Sequence, residues 1–155
     1  MKKISLVLGS CLVLALGGAR ADESYRHGDW TVDDAKAFIE AYTINADGKS
    51  VGYWCSKDED SCFFYLRTNG KCEDGARLRV QGDTEIGKQP VELLCHHIRH
   101  EDNHQYLYFF TDGEGARRLL AERLYLGLRL PGAGTMRFSL RGSKRALQRV
   151  EELRK

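Results

Sequence analysis

A β-rich α+β domain is the fold class this sequence predicts, as an antiparallel sandwich or half-open barrel with a short helix and a C-terminal helix. Three observations predict it. Eight or so short runs rich in β-branched and aromatic residues alternate with Gly, Asn and Asp turn signals. A final segment carries a helical stripe, with Ala146, Leu147, Val150 and Leu153 at i, i+1, i+4 and i+7. The two prolines, Pro90 and Pro131, lie in no Pro-rich linker, and no repeat or low-complexity tract divides the chain.

The N-terminus reads differently. Lys2 and Lys3 make a short basic region, and residues 4–16 are nearly all apolar. Gly17 and Gly18 end that run, and Ala19-Arg20-Ala21 puts small residues at the two positions a signal peptidase inspects. This predicts a signal peptide over 1–21 and one disulfide-bonded domain over 22–155. The apolar run is shorter than the roughly 20 residues that cross a bilayer, so no transmembrane segment is expected in the mature form. Leu8-Gly9-Ser10-Cys11 loosely fits a lipoprotein cleavage site, but that cut would leave residues 12–16 on the mature chain. A periplasmic or secreted protein is the expectation.

The elements follow in order. Trp30-Thr31-Val32 is a short strand. Asp33 and Asp34 could cap a helix through Ala35-Lys36-Ala37, but Phe38, Tyr42, Thr43 and Ile44 favour strand. Asn45-Ala46-Asp47-Gly48 then turns the chain into Val51-Gly52-Tyr53-Trp54-Cys55, which predicts a hairpin. Residues 62–66 form another strand. Residues 77–80 alternate and lead to a turn at Gly82-Asp83. Residues 91–98 and 106–111 form a hairpin around Glu101-Asp102-Asn103. Asp112-Gly113-Glu114-Gly115 stops that strand, and Leu119, Leu120, Arg123 and Leu124 predict a short helix over 116–124. Strands at 126–130 and 135–140 flank Pro131-Gly132-Ala133-Gly134. Ser143 is a good N-cap for the last helix, with Arg145 and Arg149 one turn apart, exposed and free.

Cys11 leaves with the signal peptide. Cys55, Cys62, Cys72 and Cys95 remain, and an even number in an exported chain predicts two disulfides. Four cysteines allow three pairings, among which sequence alone does not choose. Turn geometry favours Cys55–Cys62 across a tight acidic loop, with Cys72–Cys95 as the longer bridge. Chain entropy then assigns them roughly 2.5 and 3.5 kcal/mol. No C-x-x-C occurs, so a redox pair is not expected.

Cleavage after Ala21 removes three of the 24 basic residues and leaves the 22 acidic ones. The mature net charge is about −1 with histidine neutral, too little to give a field for nucleic acid, which is not expected as a partner. Acidic Asp58, Glu59, Asp60, Glu73 and Asp74 cluster near the cysteines. Arg137, Arg141, Lys144, Arg145, Arg149, Arg154 and Lys155 dominate the C-terminus. They read as two solvated faces.

His96, His97, His100 and His104 lie beside Cys95. In a strand His96 and His100 share a face and His97 points the other way, while His104 could return beside His100 across the turn. Imidazoles of His96, His100 and His104 on one face could hold zinc or copper. The plainer reading is a polar hairpin end in solvent, so no metal or other cofactor is expected. The aromatic runs at 63–65 and 106–110 read as sheet core covered on both faces, with a partner groove as the alternative. There is no G-x-S-x-G, no spare cysteine and no Gly-rich loop between strand and helix. No catalytic residue is assigned, and a non-enzyme is expected.

Two segments resemble the exported bacterial family named for the invasion-associated locus B protein. One is Gly28-Asp29-Trp30-Thr31-Val32. The other is Leu130-Pro131 followed by Phe138-Ser139-Leu140-Arg141-Gly142-Ser143-Lys144-Arg145-Ala146-Leu147. The family shows a G-D-W opening and an S-L-x-G-x-x-x-A-L ending that enters a last helix. This chain departs from the pattern at Asp33-Asp34, where no cysteine follows. The resemblance implies an exported, β-rich, non-enzymatic envelope protein with a loosely defined role in host interaction. The leading reading is therefore a periplasmic or secreted binding or envelope-associated protein, its partner a protein or envelope component. The alternatives are a small periplasmic inhibitor or immunity protein, whose disulfide-stiffened loop enters an enzyme, and a metal-dependent enzyme using the histidine hairpin.

Overall fold

The computed structural model describes residues 23–101 and 103–155; the expected signal peptide and Cys11 lie outside them. Ten strands pair antiparallel in one sheet, ordered β1-β2-β3-β4-β5-β8-β7-β6-β9-β10. They are β1 (Glu23–His27), β2 (Trp30–Asp34), β3 (Phe38–Ile44), β4 (Ser50–Ser56), β5 (Cys62–Arg67), β6 (Arg77–Thr84), β7 (Gly87–His100), β8 (Asn103–Phe110), β9 (Tyr125–Leu130) and β10 (Gly134–Ser139). Helix α1 (Gly113–Glu122) follows β8, and α2 (Ser143–Leu153) ends the chain. This is the expected β-rich α+β class in its half-open form: one sheet, not closed by a ladder between its first and last strands.

Strand alternation sorts the side chains. Trp30, Val32, Ile39, Ala41, Val51, Tyr53, Phe64, Leu66 and Leu93 face inward and are buried. Against them pack Ala116, Leu119 and Leu120 of α1 and Ala146, Leu147 and Val150 of α2. Helix α2 lies across β1, β2 and β3, and α1 lies against β5 and α2. The predicted stripe on the last helix is thus the face it docks with.

Several elements differ from expectation for identifiable reasons. Strand β1 is polar and gave no signal; it forms because Gly28, at φ 59°, turns a two-residue hairpin that sets His27 opposite Trp30. Strand β6 does not end at Gly82 but runs to Thr84, with the turn at Glu85-Ile86. A Cβ at Gly82 would stand 2.9 Å from Leu126 Cδ1 and 3.1 Å from Val91 Cγ2, so this glycine makes room for packing rather than for a turn. Helix α1 starts three residues early, because the Asp112 carboxylate accepts from Gly115 N at 2.9 Å and turns a strand-stop signal into an N-cap. Ser143 is not the N-cap of α2. Gly142 holds that position at φ 94°, and the buried Ser143 Oγ faces the carbonyls of Leu120 (2.5 Å) and Leu140 (2.7 Å). Its hydroxyl serves a carbonyl of the last turn of α1 instead of an amide of α2.

Both disulfides form in the favoured pairing, Cys55–Cys62 and Cys72–Cys95. Cys55 and Cys62 stand directly opposite each other on β4 and β5. Ser56 N bonds Ser61 O one step further on, so the cysteines occupy a non-hydrogen-bonded pair, where antiparallel strands come closest. Cys72–Cys95 ties the loop before β6 to the middle of β7.

Candidate functional site

The two segments that carry the family resemblance meet in space. Asp29 N donates to Arg141 O at 2.9 Å, Trp30 Nε1 donates to Ser139 O at 3.1 Å, and Ser139 Oγ donates to the Asp29 carboxylate at 2.6 Å. Gly28 and Gly142 lie against each other's backbone. A Cβ on Gly142 would fall 1.8 Å from His27 O, and one on Gly28 would fall 2.6 Å from Arg141 O. The Asp29 carboxyl is held below its ordinary range, chiefly by the Ser139 hydroxyl and also by Arg141, against a smaller opposing effect of burial. Buried Lys49 adds a further tie, donating to Ala133 O at 2.8 Å. Ser139 directs its carbonyl away from β9, onto the open edge of β10, and Ala133 lies in the turn that precedes that strand. Side-chain bonds and the single backbone bond from Asp29 N to Arg141 O, rather than a backbone ladder, therefore fasten these parts of the sheet. These motifs form a clasp, which is structural.

The outer face of the sheet carries different chemistry. Phe38, Trp54, Phe63 and Phe109 are only half-buried there and form one row across β3, β4, β5 and β8. Ring centroids lie 6.0 Å apart for Phe38–Trp54, 5.0 Å for Trp54–Phe63 and 4.6 Å for Phe63–Phe109, and His96 of β7 extends the row at 5.3 Å from Phe109. These are directly opposite and diagonal cross-strand neighbours. The aromatic runs are thus not covered on both faces throughout: Phe64, Tyr108 and Phe110 point into the core, and Phe63 and Phe109 point out. Tyr65 also points outward but is buried, its hydroxyl over Gly52 and its ring under Arg67. Burial first, then Glu40, pushes its phenol well above the ordinary value, so it stays protonated.

The histidine hairpin divides differently from the expected set. Register places Arg99 opposite His104, His97 opposite Tyr106 and His100 opposite Asn103. His104 therefore shares the face of His97, not that of His96, so His96 and His104 do not converge; the His100 side chain lies outside what the structure describes. The reason is that an antiparallel partner shares the face of the residue it opposes, and the turn puts Arg99 there. His97 Nε2 and His104 Nδ1 are 2.9 Å apart, and the His97 ring stacks on Tyr106. Desolvation, Arg99 and His104 together hold His97 below the ordinary histidine value. Among the described residues no three His, Cys, Asp or Glu side chains come together as a metal-binding group.

The charged clusters are mostly exposed, as expected for solvated faces, but an ion pair links them. Arg154 of the C-terminus reaches Asp60 in the acidic loop at 2.6 Å. Arg149 is not free: it lies 4.5 Å over the Tyr25 ring and pairs with Glu152 at 3.4 Å. Glu151 accepts from Arg117 at 2.6 Å and from Tyr53 at 3.0 Å, joining α2 to α1 and β4. Burial raises its pKa, but those two donors with the charges of Arg117 and Arg154 outweigh it, and the net shift is downward.

Comparison of the chain with protein-family models, with curated proteins and with solved structures finds no match. No helix among the described residues is long and apolar enough to cross a membrane.

Proposed function

We propose that this chain is an exported, non-enzymatic binding protein of the bacterial envelope, periplasmic or secreted, of the kind the invasion-associated locus B resemblance suggests. The observation that carries the reading is the row Phe38, Trp54, Phe63 and Phe109 left half-exposed on the outer face. The partner we assign to it is a protein. The first three rings stand nearly parallel, with interplanar angles of 26° and 23°. Their flat faces cover one another, so they offer ring edges to apolar side chains rather than platforms for a sugar or base. The disulfides support export, since such bridges persist in oxidising compartments.

The runner-up, an inhibitor or immunity protein, is favoured by the Cys55–Cys62 loop. Ser56 Oγ accepts from the amides of Asp58 and Glu59, which presents their carboxylates on a stiff turn.

A photo-cross-linking residue placed at Phe63 in the native cells should yield one discrete protein adduct, absent when the same residue replaces Arg145. Trp54→Ala should diminish that adduct. Identical adducts from both positions, or none from Phe63, would overturn the outer face as the contact surface.

A further inference from the structure

The cross-strand pair His97–His104 belongs neither to the outer aromatic face nor to the clasp. Its two ring nitrogens, His97 Nε2 and His104 Nδ1, stand 2.9 Å apart near the end of the β7–β8 hairpin. With metal–nitrogen bonds of about 2.0 Å, two cis ligands at a right angle lie roughly 2.8 Å apart, and two tetrahedral ligands roughly 3.3 Å apart. The observed spacing matches the right-angle case, which square-planar and tetragonal ions prefer.

The surroundings hold the His97 ring in place. It stacks on Tyr106 at 4.5 Å with planes 9° apart, and the His97 amide donates to the Asp74 carboxylate at 2.8 Å. The Cys72–Cys95 disulfide fastens the loop that carries Asp74. Asp74 also lies 3.5 Å from His96 Nδ1, whose ring is on the other face of β7 from the pair. Against a cation stands Arg99, whose Nε donates to His97 Nδ1 at 3.2 Å. That bond favours the tautomer with its proton on Nε2, shared with His104. A metal takes the place of this proton, which moves to Nδ1, and Arg99 swings away from the exposed ring.

We propose that His97 and His104 form a two-histidine site for divalent copper, with water completing the coordination. Copper(II) is favoured over zinc by the right-angle spacing and by its higher affinity for imidazole nitrogen.

The test is a titration of the mature protein with copper(II) against a weak competing chelator, with electron paramagnetic resonance to count coordinated nitrogens. One ion per chain with two imidazole nitrogens is expected, and zinc(II) should bind more weakly. His97→Ala and His104→Ala should each weaken binding by at least about tenfold, a loss typical even of residues that merely support a ligand. Arg99→Ala should tighten it, because the competing hydrogen bond and charge are gone, and His96→Ala should leave it unchanged. All four positions border solvent, and circular dichroism checks that each variant folds. Binding that survives both His97→Ala and His104→Ala, or no saturable binding in the parent, would overturn the proposal.

Discussion

At Gly142 and Gly28 the backbone decides what a side chain may be. Gly142 combines φ 94° with a carbonyl oxygen where its Cβ would lie. Alanine there meets both left-handed strain and a backbone clash that no rotamer relieves. Gly142→Ala should cost at least about 2 kcal/mol in a denaturant melt, whereas alanine at Gly48, where a Cβ meets nothing within 4 Å, suffers the φ strain alone. Trp30→Phe removes the Nε1–H that Ser139 O accepts, at about 1–3 kcal/mol, and the smaller ring leaves a cavity at a fully buried position that adds to the cost. At Glu151 the sign of a pH effect follows from its lowered pKa. A carboxyl that ionises more readily when folded adds stability above the unfolded value of about 4.3, and that stability is lost as pH falls through the folded value. Glu151→Gln should therefore be less stable than the parent at pH 7, with the difference shrinking below about pH 4 in paired melts. An equal difference at both pH values would show that the carboxylate charge is not what Arg117 and Tyr53 hold.

Among the elements, α2 is the one whose role the sequence declared most openly. Its stripe of Ala146, Leu147 and Val150 is the docked face, and Leu147 is 2% exposed. Leu147→Ala should cost about 2–5 kcal/mol through lost burial and the cavity left behind. Arg145→Ala, at an exposed position, should stay within about 0.5 kcal/mol. Should Leu147→Ala melt like the parent, α2 is not docked as described. The β3–β4 and β7–β8 hairpins were equally legible, because turn residues separate runs of strand formers. Glycines were less so. Gly82 reads as a turn by type, yet its reason is the Leu126 side chain from β9, a contact no local pattern contains. Asp112 reads as a strand stop by type, yet its carboxylate caps α1. The histidine face could have been found from register alone, but register depends on a one-residue choice where β7 turns into β8, and that choice moves His104 to the other face.

For the whole molecule, the cysteines and the two ends of the chain say most. The disulfide pairing follows turn geometry because Cys55 and Cys62 flank a tight loop, a local feature. The clasp is non-local, joining residues more than a hundred positions apart, so sequence displayed Gly28-Asp29-Trp30 and Ser139-Leu140-Arg141-Gly142 as motifs without their meaning. The structure supplies it: these residues fasten the first strands to the last strand and the entry to α2. The aromatic row was half-visible, since Phe63 and Phe109 stand in apolar runs and strand alternation alone turns them outward. All four cysteines of 22–155 are consumed in bridges, which a reducing cytoplasm would not sustain. Export is thus the claim on which the functional reading stands. The most direct test is intact-mass analysis with non-reducing peptide mapping of the protein recovered from the periplasm or medium of its own cells. The account predicts a chain that begins at Asp22 and contains Cys55–Cys62 and Cys72–Cys95 with no free thiol. A chain that keeps Met1, stays in the cytoplasm and carries free Cys55, Cys62, Cys72 and Cys95 would contradict it.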